Sequence, residues 1–314
     1  MSSRVGVALC AAALAIATTP AAAAQFTLTA GARAVGAVET YVAAASDNLL
    51  DLARRYDLGY TQLIAANPGI DPWRPGTGRA IRIPSYYLLP DEPRRGIIVN
   101  LAEQRLFYFP PGGHRVETFP IGTAVHGLDS PLGTTRVVAK LPHPTWYPPA
   151  SIRAERPDLP AAIPPGPDDP LGAYALALAW PGYLIHGTNK PDGIGRNVSH
   201  GCVHLYPEDI LRLYREVPVG TPVRVIDEAA EVEWVGDTLF LAVHPSKAEA
   251  DQLDSGERMT PSPPPRLRAR VAAIAAERGG QVDWAAVERA GRERNGIPVP
   301  VSSTSTMASG ASSP

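Results

Sequence analysis

The chain has 314 residues, with 29 Lys+Arg against 31 Asp+Glu and a formal net charge of −2. That balance excludes an electrostatic case for nucleic acid or for a polybasic membrane surface as partner. A hydrophobic share of 45% supports a sizeable core, and 34 prolines with 28 glycines argue for a β-rich, loop-rich chain rather than a helical bundle.

The N-terminus carries Arg4, an apolar run from Val5 to Ala17, then Thr18-Thr19-Pro20 and four alanines. It reads as a secretory leader over residues 1–24, with Ala22-x-Ala24 as the small-residue cleavage pattern and Gln25 as the first mature residue. The run is too short to span ~30 Å of hydrocarbon. Leu9 is not the small residue expected before a lipidated cysteine at Cys10. The expectation is an exported protein with no transmembrane segment in its mature chain.

Residues 40–84 form the first compact unit. Tyr41-Val42 opens a strand, and Ser46-Asp47-Asn48 supplies cap chemistry for a helix with Leu49, Leu50, Leu52, Ala53 and Tyr56 at helical spacing. Thr61 is expected to cap a second helix that ends at Asn67-Pro68-Gly69, before the strand Ala80–Pro84. This βααβ order, with Asp-Asn-Leu-Leu, Ala-Arg-Arg-Tyr and Ala-Asn-Pro, resembles a LysM domain; the resemblance implies binding to the glycan of peptidoglycan. The unit reads as separable from the rest of the chain.

Residues 97–139 alternate apolar and polar positions between turn signals, a β-meander. The Pro-rich segment His143–Asp169 is too long for a tight turn and is expected to wall or cover a site. Tyr174–Leu178 leads through Trp180-Pro181-Gly182 into Tyr183-Leu184-Ile185-His186, which puts His186 at a strand end. Tyr206–Tyr214 reads as a helix with Pro207 and acids in its first turn, and Val223–Ile226 as a closing strand. Residues 227–257 are expected to be a β-hairpin extension, and 258–314 a Pro-rich linker, two helical segments and a disordered tail.

The chemistry concentrates at two segments, Ile185-His186-Gly187-Thr188 and Ser199-His200-Gly201-Cys202-Val203-His204. Once Cys10 leaves with the leader, Cys202 is unpaired, which in an exported chain marks a reactive thiol or an intermolecular bridge. A free thiol has a pKa of ~8.5, so a neighbouring imidazole is needed to make it a nucleophile at neutral pH, and His186 is the candidate base. Gly201 lets the backbone approach a substrate carbonyl, and its amide is expected to serve as an oxyanion donor. Thr188, Arg196, Asn197, Ser199, His200 and His204 are the nearby polar candidates for orienting a substrate.

These two motifs, with the glycines at 193 and 195 between them, resemble the L,D-transpeptidase (YkuD-type) catalytic domain over 95–226, in its proteobacterial periplasmic branch. Gly96–Leu101, Ser130–Thr134 and Pro144-Thr145-Trp146 carry further similarity. The resemblance implies a mainly β fold: a YkuD-like β-sandwich with a short helix after the nucleophile, preceded by the small βααβ LysM domain. It implies Cys202 as nucleophile, His186 as general base and the Gly187 carbonyl orienting the imidazole. The implied reaction is attack on a tetrapeptide stem of peptidoglycan in the periplasm, release of D-Ala, and transfer to an amine. That amine is a second stem, giving a 3→3 cross-link, or a lysine of an outer-membrane lipoprotein; water would make the enzyme a carboxypeptidase. No cofactor is implied. His204 stands where the family usually has Arg, so an imidazole that helps a substrate carboxylate only at low pH is expected there. Two other readings compete with this one: a zinc site built from His186, His200, Cys202 and His204, disfavoured by the cramped spacing of its ligands, and a non-catalytic wall-binding protein.

Overall fold

The computed structural model describes residues 24–262 and 264–302; the leader before Ala24 and the tail after Ser302 lie outside the described residues. After the short strand β1 (Ala24–Thr27) comes a βααβ unit: β2 (Ala34–Val42), α1 (Leu49–Arg55), α2 (Tyr60–Ala66) and β3 (Ala80–Leu88). β2 and β3 pair antiparallel from Ala34 opposite Leu88 to Val42 opposite Ala80. Asn48 caps α1, its side chain accepting from the Asp51 amide at 2.9 Å. The cap of α2 is Gly59, with Thr61 inside the helix rather than before it. Asn67 closes the unit, because its side chain accepts from the Arg82 amide at 2.7 Å and donates to the carbonyls of Leu63 and Arg82.

The larger part runs β4 (Gly96–Asn100), β5 (Arg105–Phe109), β6 (Arg115–Pro120), β7 (Thr123–Ala124), β8 (Gly133–Pro142), α3 (Ala150–Glu155), β9 (Tyr174–Leu178), β10 (Leu184–His186), β11 (Asn197–Ser199), β12 (Val203–His204), α4 (Pro207–Glu216) and β13 (Pro222–Ile226). One nine-stranded sheet takes the order β1-β6-β5-β4-β13-β8-β9-β10-β12, and β7 pairs with β11 beside it. Two contacts within the large sheet are parallel, β4 with β13 and β10 with β12. The fold is mostly β, as expected, and α4 is the short helix after the cysteine. Among the described residues no helix is long and apolar enough to cross a membrane.

β4 and β5 are buried at every position, not alternately. Side chains of a strand point to opposite faces in turn, so both faces must be covered. Ile97, Val99, Leu106 and Tyr108 pack with Ile210 and Leu213 of α4 on one face. Ile98, Phe107 and Phe109 pack on the other with Leu49, Leu52, Leu63, Ile81 and Ile83 of the βααβ unit. Arg105, fully buried, ties the two parts: it donates to Gln62 Oε1 at 3.0 Å, to the Asp57 carbonyl at 3.1 Å and to Thr118 Oγ1 at 3.1 Å, and stacks on Tyr87. The core of the N-terminal unit therefore runs on into the large sheet through Ile98, Phe107 and Phe109.

At the other end, β14 (Ala230–Val235) and β15 (Thr238–Val243) make the expected hairpin, after which come α5 (Lys247–Asp254), α6 (Leu267–Ala276), α7 (Trp284–Glu293) and β16 (Val299–Pro300). β16 adds to β15 as a third strand. A single core joins Val232, Trp234, Leu239 and Leu241 of the hairpin to Val271 of α6 and Val287 of α7. The boundary expected at 257/258 thus runs through one packed unit, because the apolar stripes of both helices need the hairpin's inner face.

Because the core is shared, damage to it should be felt throughout. Phe107→Ala should destabilise the whole protein by about 3–5 kcal/mol in urea unfolding. A chain lacking residues 25–90 should show no cooperative transition, since Ile98, Phe107 and Phe109 would lie bare. A sharp melt of that truncated chain would contradict a shared core.

Candidate active site

Two neighbouring strands bring the motifs together. β10 ends on His186, β12 starts immediately after Cys202, and their parallel pairing sets Ile185 opposite Val203 and His186 opposite His204. The loop between them leaves His186 at Gly187, where a Cβ would approach Ile210 Cγ2 to 2.9 Å. Only glycine lets the strand end lie that close to α4.

His186 is 3% exposed, and its Nδ1 lies 2.6 Å from the Gly187 carbonyl oxygen. A carbonyl only accepts, so Nδ1 carries the hydrogen and Nε2 is left as the basic nitrogen. Burial pushes the imidazole down to about 4, against the opposing effect of the Gly187 and Leu171 carbonyls. Cys202 is half-buried, with Sγ 3.7 Å from the Gly182 carbonyl. Burial pushes its thiol up, only partly offset by a hydrogen bond with the Leu184 backbone. The resting pair is a neutral thiol and a neutral imidazole, not the thiolate the motif suggests.

Ser199, buried, braces the nucleophile turn. Its Oγ accepts from the Gly201 amide at 3.2 Å and donates to the Cys202 carbonyl at 2.7 Å. Ser130 Oγ, from the segment before β8, donates to the Gly201 carbonyl at 2.7 Å. Gly201 has φ +112°, and a Cβ there would stand 3.1 Å from Tyr183 Cε1. Its role is conformational. Its amide donates to Ser199 Oγ in this structure.

The polar candidates divide. His204 packs its ring 4.5 Å from that of His186, and its backbone N–H and C=O both bond Gly122. Burial, and then His186, hold its imidazole well below the ordinary range. Thr188 is buried at the cleft and accepts from the Lys190 amide at 2.9 Å. His200 is exposed, 3.6 Å from Glu155 of α3. Arg196 borders the cleft, but its guanidinium stacks on Tyr60 at 4.0 Å and pairs with Asp254 at 2.9 Å. Asn197 accepts from Thr123 Oγ1 at 2.8 Å and Gln104 Nε2 at 3.2 Å, and donates to Asp251 at 2.8 Å. Arg196 and Asn197 thus fasten β11 to α2, β7 and α5.

Cys202, His186, His204 and Thr188 line one cleft of about 1310 Å³. Its far wall is the 143–169 segment, which contributes Trp146, Tyr147, Ile152 and Leu159. Paired bonds between Trp146 and Ile163, 2.9 and 2.8 Å, close that segment into an ordered arch, so the long loop walls the site as expected. Ser130, Tyr183 and Gly122 are site residues that the motifs alone do not reveal; Ser130 stands in a stretch of family similarity, but its contact is with Gly201, 71 positions away. Among the described residues, the side chains able to hold a metal together are Glu103, Glu231 and His244, whose donor atoms lie within 4.8 Å. Glu103 and His244 border a different cavity, and the His186, His200, Cys202, His204 set considered for zinc is not the one assembled.

Residues 94–225 match the family model for the YkuD L,D-transpeptidase catalytic domain. The chain is 39% identical over 253 residues to the probable L,D-transpeptidase YbiS of Escherichia coli K12, covering 79% of this chain and 81% of that one. It is 39% identical over 260 residues to the probable L,D-transpeptidase ErfK/SrfK of the same organism, covering 81% and 82%. Among solved structures, an Enterococcus faecium L,D-transpeptidase with a C442S substitution aligns over 42% of this chain and 50% of its own, with 24% identity and a TM-score of 0.34. On the sequence matches, this chain belongs to the YkuD family of L,D-transpeptidases.

Proposed function

We propose that Cys202 is the nucleophile and His186 the general base of an acyl transfer on peptidoglycan stem peptides in the periplasm. The observation that carries this reading is one cleft lined by both side chains, with His186 held by Gly187 in the tautomer that leaves Nε2 basic. The thiol proton passes to Nε2 as sulfur bonds the carbonyl carbon of the diamino acid in a tetrapeptide stem. The Cys202 amide takes the oxyanion, since the Gly201 amide is engaged by Ser199. Collapse breaks the bond to D-Ala, whose nitrogen receives the proton from His186. An acceptor amine then attacks the thioester, His186 takes its proton, and the thiol leaves.

The βααβ unit is proposed to be a LysM module that seats the glycan. Its two short helices between paired strands support this, and its rigid docking would hold the glycan in a set relation to the cleft. The acceptor is an amine, from a second stem (3→3 cross-link) or from a lipoprotein lysine; a buried neutral pair and an arch over the cleft both favour excluding water.

Cys202→Ala should abolish thioester formation with a purified tetrapeptide, read by intact mass, while circular dichroism stays native. Turnover by that variant would overturn the assignment. Muropeptides from a deletion strain separate the acceptors: loss of 3→3 dimers or loss of lipoprotein remnants supports one amine or the other, and a rise in tetrapeptides alone means hydrolysis.

The pH profile is a second test. His186 must be neutral to act as base, and burial pushes it down to about 4. kcat/KM should therefore stay level as the pH falls past the ordinary imidazole range and decline only near pH 4. His204→Gln should leave that acid limb in place, because burial and then His186 hold the His204 imidazole well below its ordinary range. An acid limb at the ordinary imidazole pKa of ~6.5 would contradict the buried neutral base.

A further inference from the structure

Three metal-ligating side chains gather away from the catalytic cleft. Glu103, Glu231 and His244 are each no more than 6% exposed, and one donor atom from each lies within 4.8 Å of the other two. They come from three stretches of chain: Glu103 from the turn between β4 and β5, Glu231 from β14, and His244 from just past the end of β15. Glu231 pairs with Ala242, so His244, two positions further on, points to the same face of the hairpin.

The donors are held from behind. Asn100, the last residue of β4, donates to Glu231 Oε1 and to the Glu228 carbonyl, both at 3.1 Å, and its Oδ1 accepts from the Glu228 amide at 2.9 Å. It also reaches Glu103 Oε2 at 3.5 Å. Glu231 Oε2 is left facing His244 Nε2, 3.3 Å away. On the ring's other side Gly296 closes in, where a Cβ would stand 3.0 Å from His244 Nδ1. Hydrogen bonds that orient carboxylates from outside are a regular part of metal sites. The charged groups around the cluster are Arg105, which acts on Glu103 and His244, and the Glu228–Arg270 pair, which acts on Glu231.

Donor type and spacing indicate the class of ion. A tetrahedral zinc ion with bonds of ~2.0 Å keeps its ligands about 3.3 Å apart, and His244 Nε2 and Glu231 Oε2 already stand at that separation. An imidazole among carboxylates suits a transition ion rather than calcium or magnesium, which take oxygen donors. Glu103 and His244 also line a cavity of about 490 Å³, together with Gln104, Asp227, Ser246 and Lys247. That cavity gives an ion a way in and leaves room for water as a fourth ligand. We propose that Glu103, Glu231 and His244 bind zinc and that the ion fastens the C-terminal hairpin to the β4–β5 turn. Gln104, the next residue in that turn, accepts from Thr61 and donates to Asn197, so the ion sits one residue from the contacts that clamp β11. The site is independent of the acyl transfer proposed for Cys202.

Zinc binding to the untagged protein tests it, in a Cys202→Ala background that removes the sulfur donor of the cleft. After dialysis against a chelator, that protein should take up one zinc per chain with a micromolar or lower Kd. Its Tm should rise by about 5 °C at a hundredfold excess over Kd, and calcium should give no such rise. X-ray absorption at the zinc edge should show a single imidazole among light donors at ~2.0 Å, whereas capture by the cleft would bring the ring of His186 together with that of His204 or His200. His244→Gln and Glu231→Gln should each weaken binding at least about 100-fold, beyond what loss of an outer-shell partner costs. A hydrogen-bonded carboxyl pair with no ion of its own would bind zinc only at millimolar levels, and that result would overturn the site. Two imidazoles on the ion, an equal Tm rise with calcium, or full binding by a folded His244→Gln protein would overturn it as well. If His244→Gln fails to fold, the imidazole count in the parent protein decides.

Discussion

The hydrogen bond from His186 Nδ1 to the Gly187 carbonyl, 2.6 Å long and shut away from water, sets the chemistry of this protein. It fixes the tautomer, and the burial around it keeps both imidazole and thiol uncharged. A charged resting pair would have to be stabilised against desolvation; a neutral one is stable in the site and, on the proposed mechanism, becomes charged only when substrate arrives. The rest of the structure preserves that geometry. β10 holds His186 and β12 holds the residue after Cys202, and their pairing in one sheet limits relative drift to that of adjacent backbone ladders.

The N- and C-terminal parts reach the same spot from opposite sides. α2 grips the glycine-rich loop through its first turn, where the Tyr60 and Thr61 amides donate to the carbonyls of Ile194 and Gly195 at 3.2 Å. Gly59 and Gly195 are so close that a Cβ on Gly195 would lie 2.3 Å from Gly59 Cα. α5 supplies Asp251 to Asn197 and Asp254 to Arg196. The strand carrying Ser199 is thereby clamped by three parts of the chain, and Ser199 in turn braces the cysteine turn. The βααβ unit is thus a buttress of the cleft.

Much of this architecture is legible in the sequence. The strand ending at His186, the nucleophile turn, α4, the βααβ order and the hairpin follow from local apolar spacing, caps and glycines, signals that act over a few residues. The motifs at 186 and 202 are readable because a lone cysteine flanked by histidines and glycines stands out from its local sequence. The features that escape depend on distant contacts. Residues such as Phe107 and Phe109 read as part of a half-exposed meander until the second covering layer is known. Asn197 and Arg196 sit beside the motif and read as substrate ligands, yet their partners are Gln104, Asp251, Tyr60 and Asp254. The state of Cys202 is hidden for the same reason: a nearby histidine argues for a thiolate, and only the depth of burial reverses the sign.

The measurement that bears most directly on the central claim is the ionisation of the Cys202 thiol in the free enzyme, tracked by its alkylation rate with a small haloacetamide as the pH is raised. Cys202 is the one cysteine of residues 24–314, so the signal is unambiguous. With a neutral resting pair, the rate should climb with pH and show its midpoint above the ordinary thiol value of ~8.5. A fast rate already level at neutral pH would mean a resting thiolate paired with imidazolium, and would contradict the account.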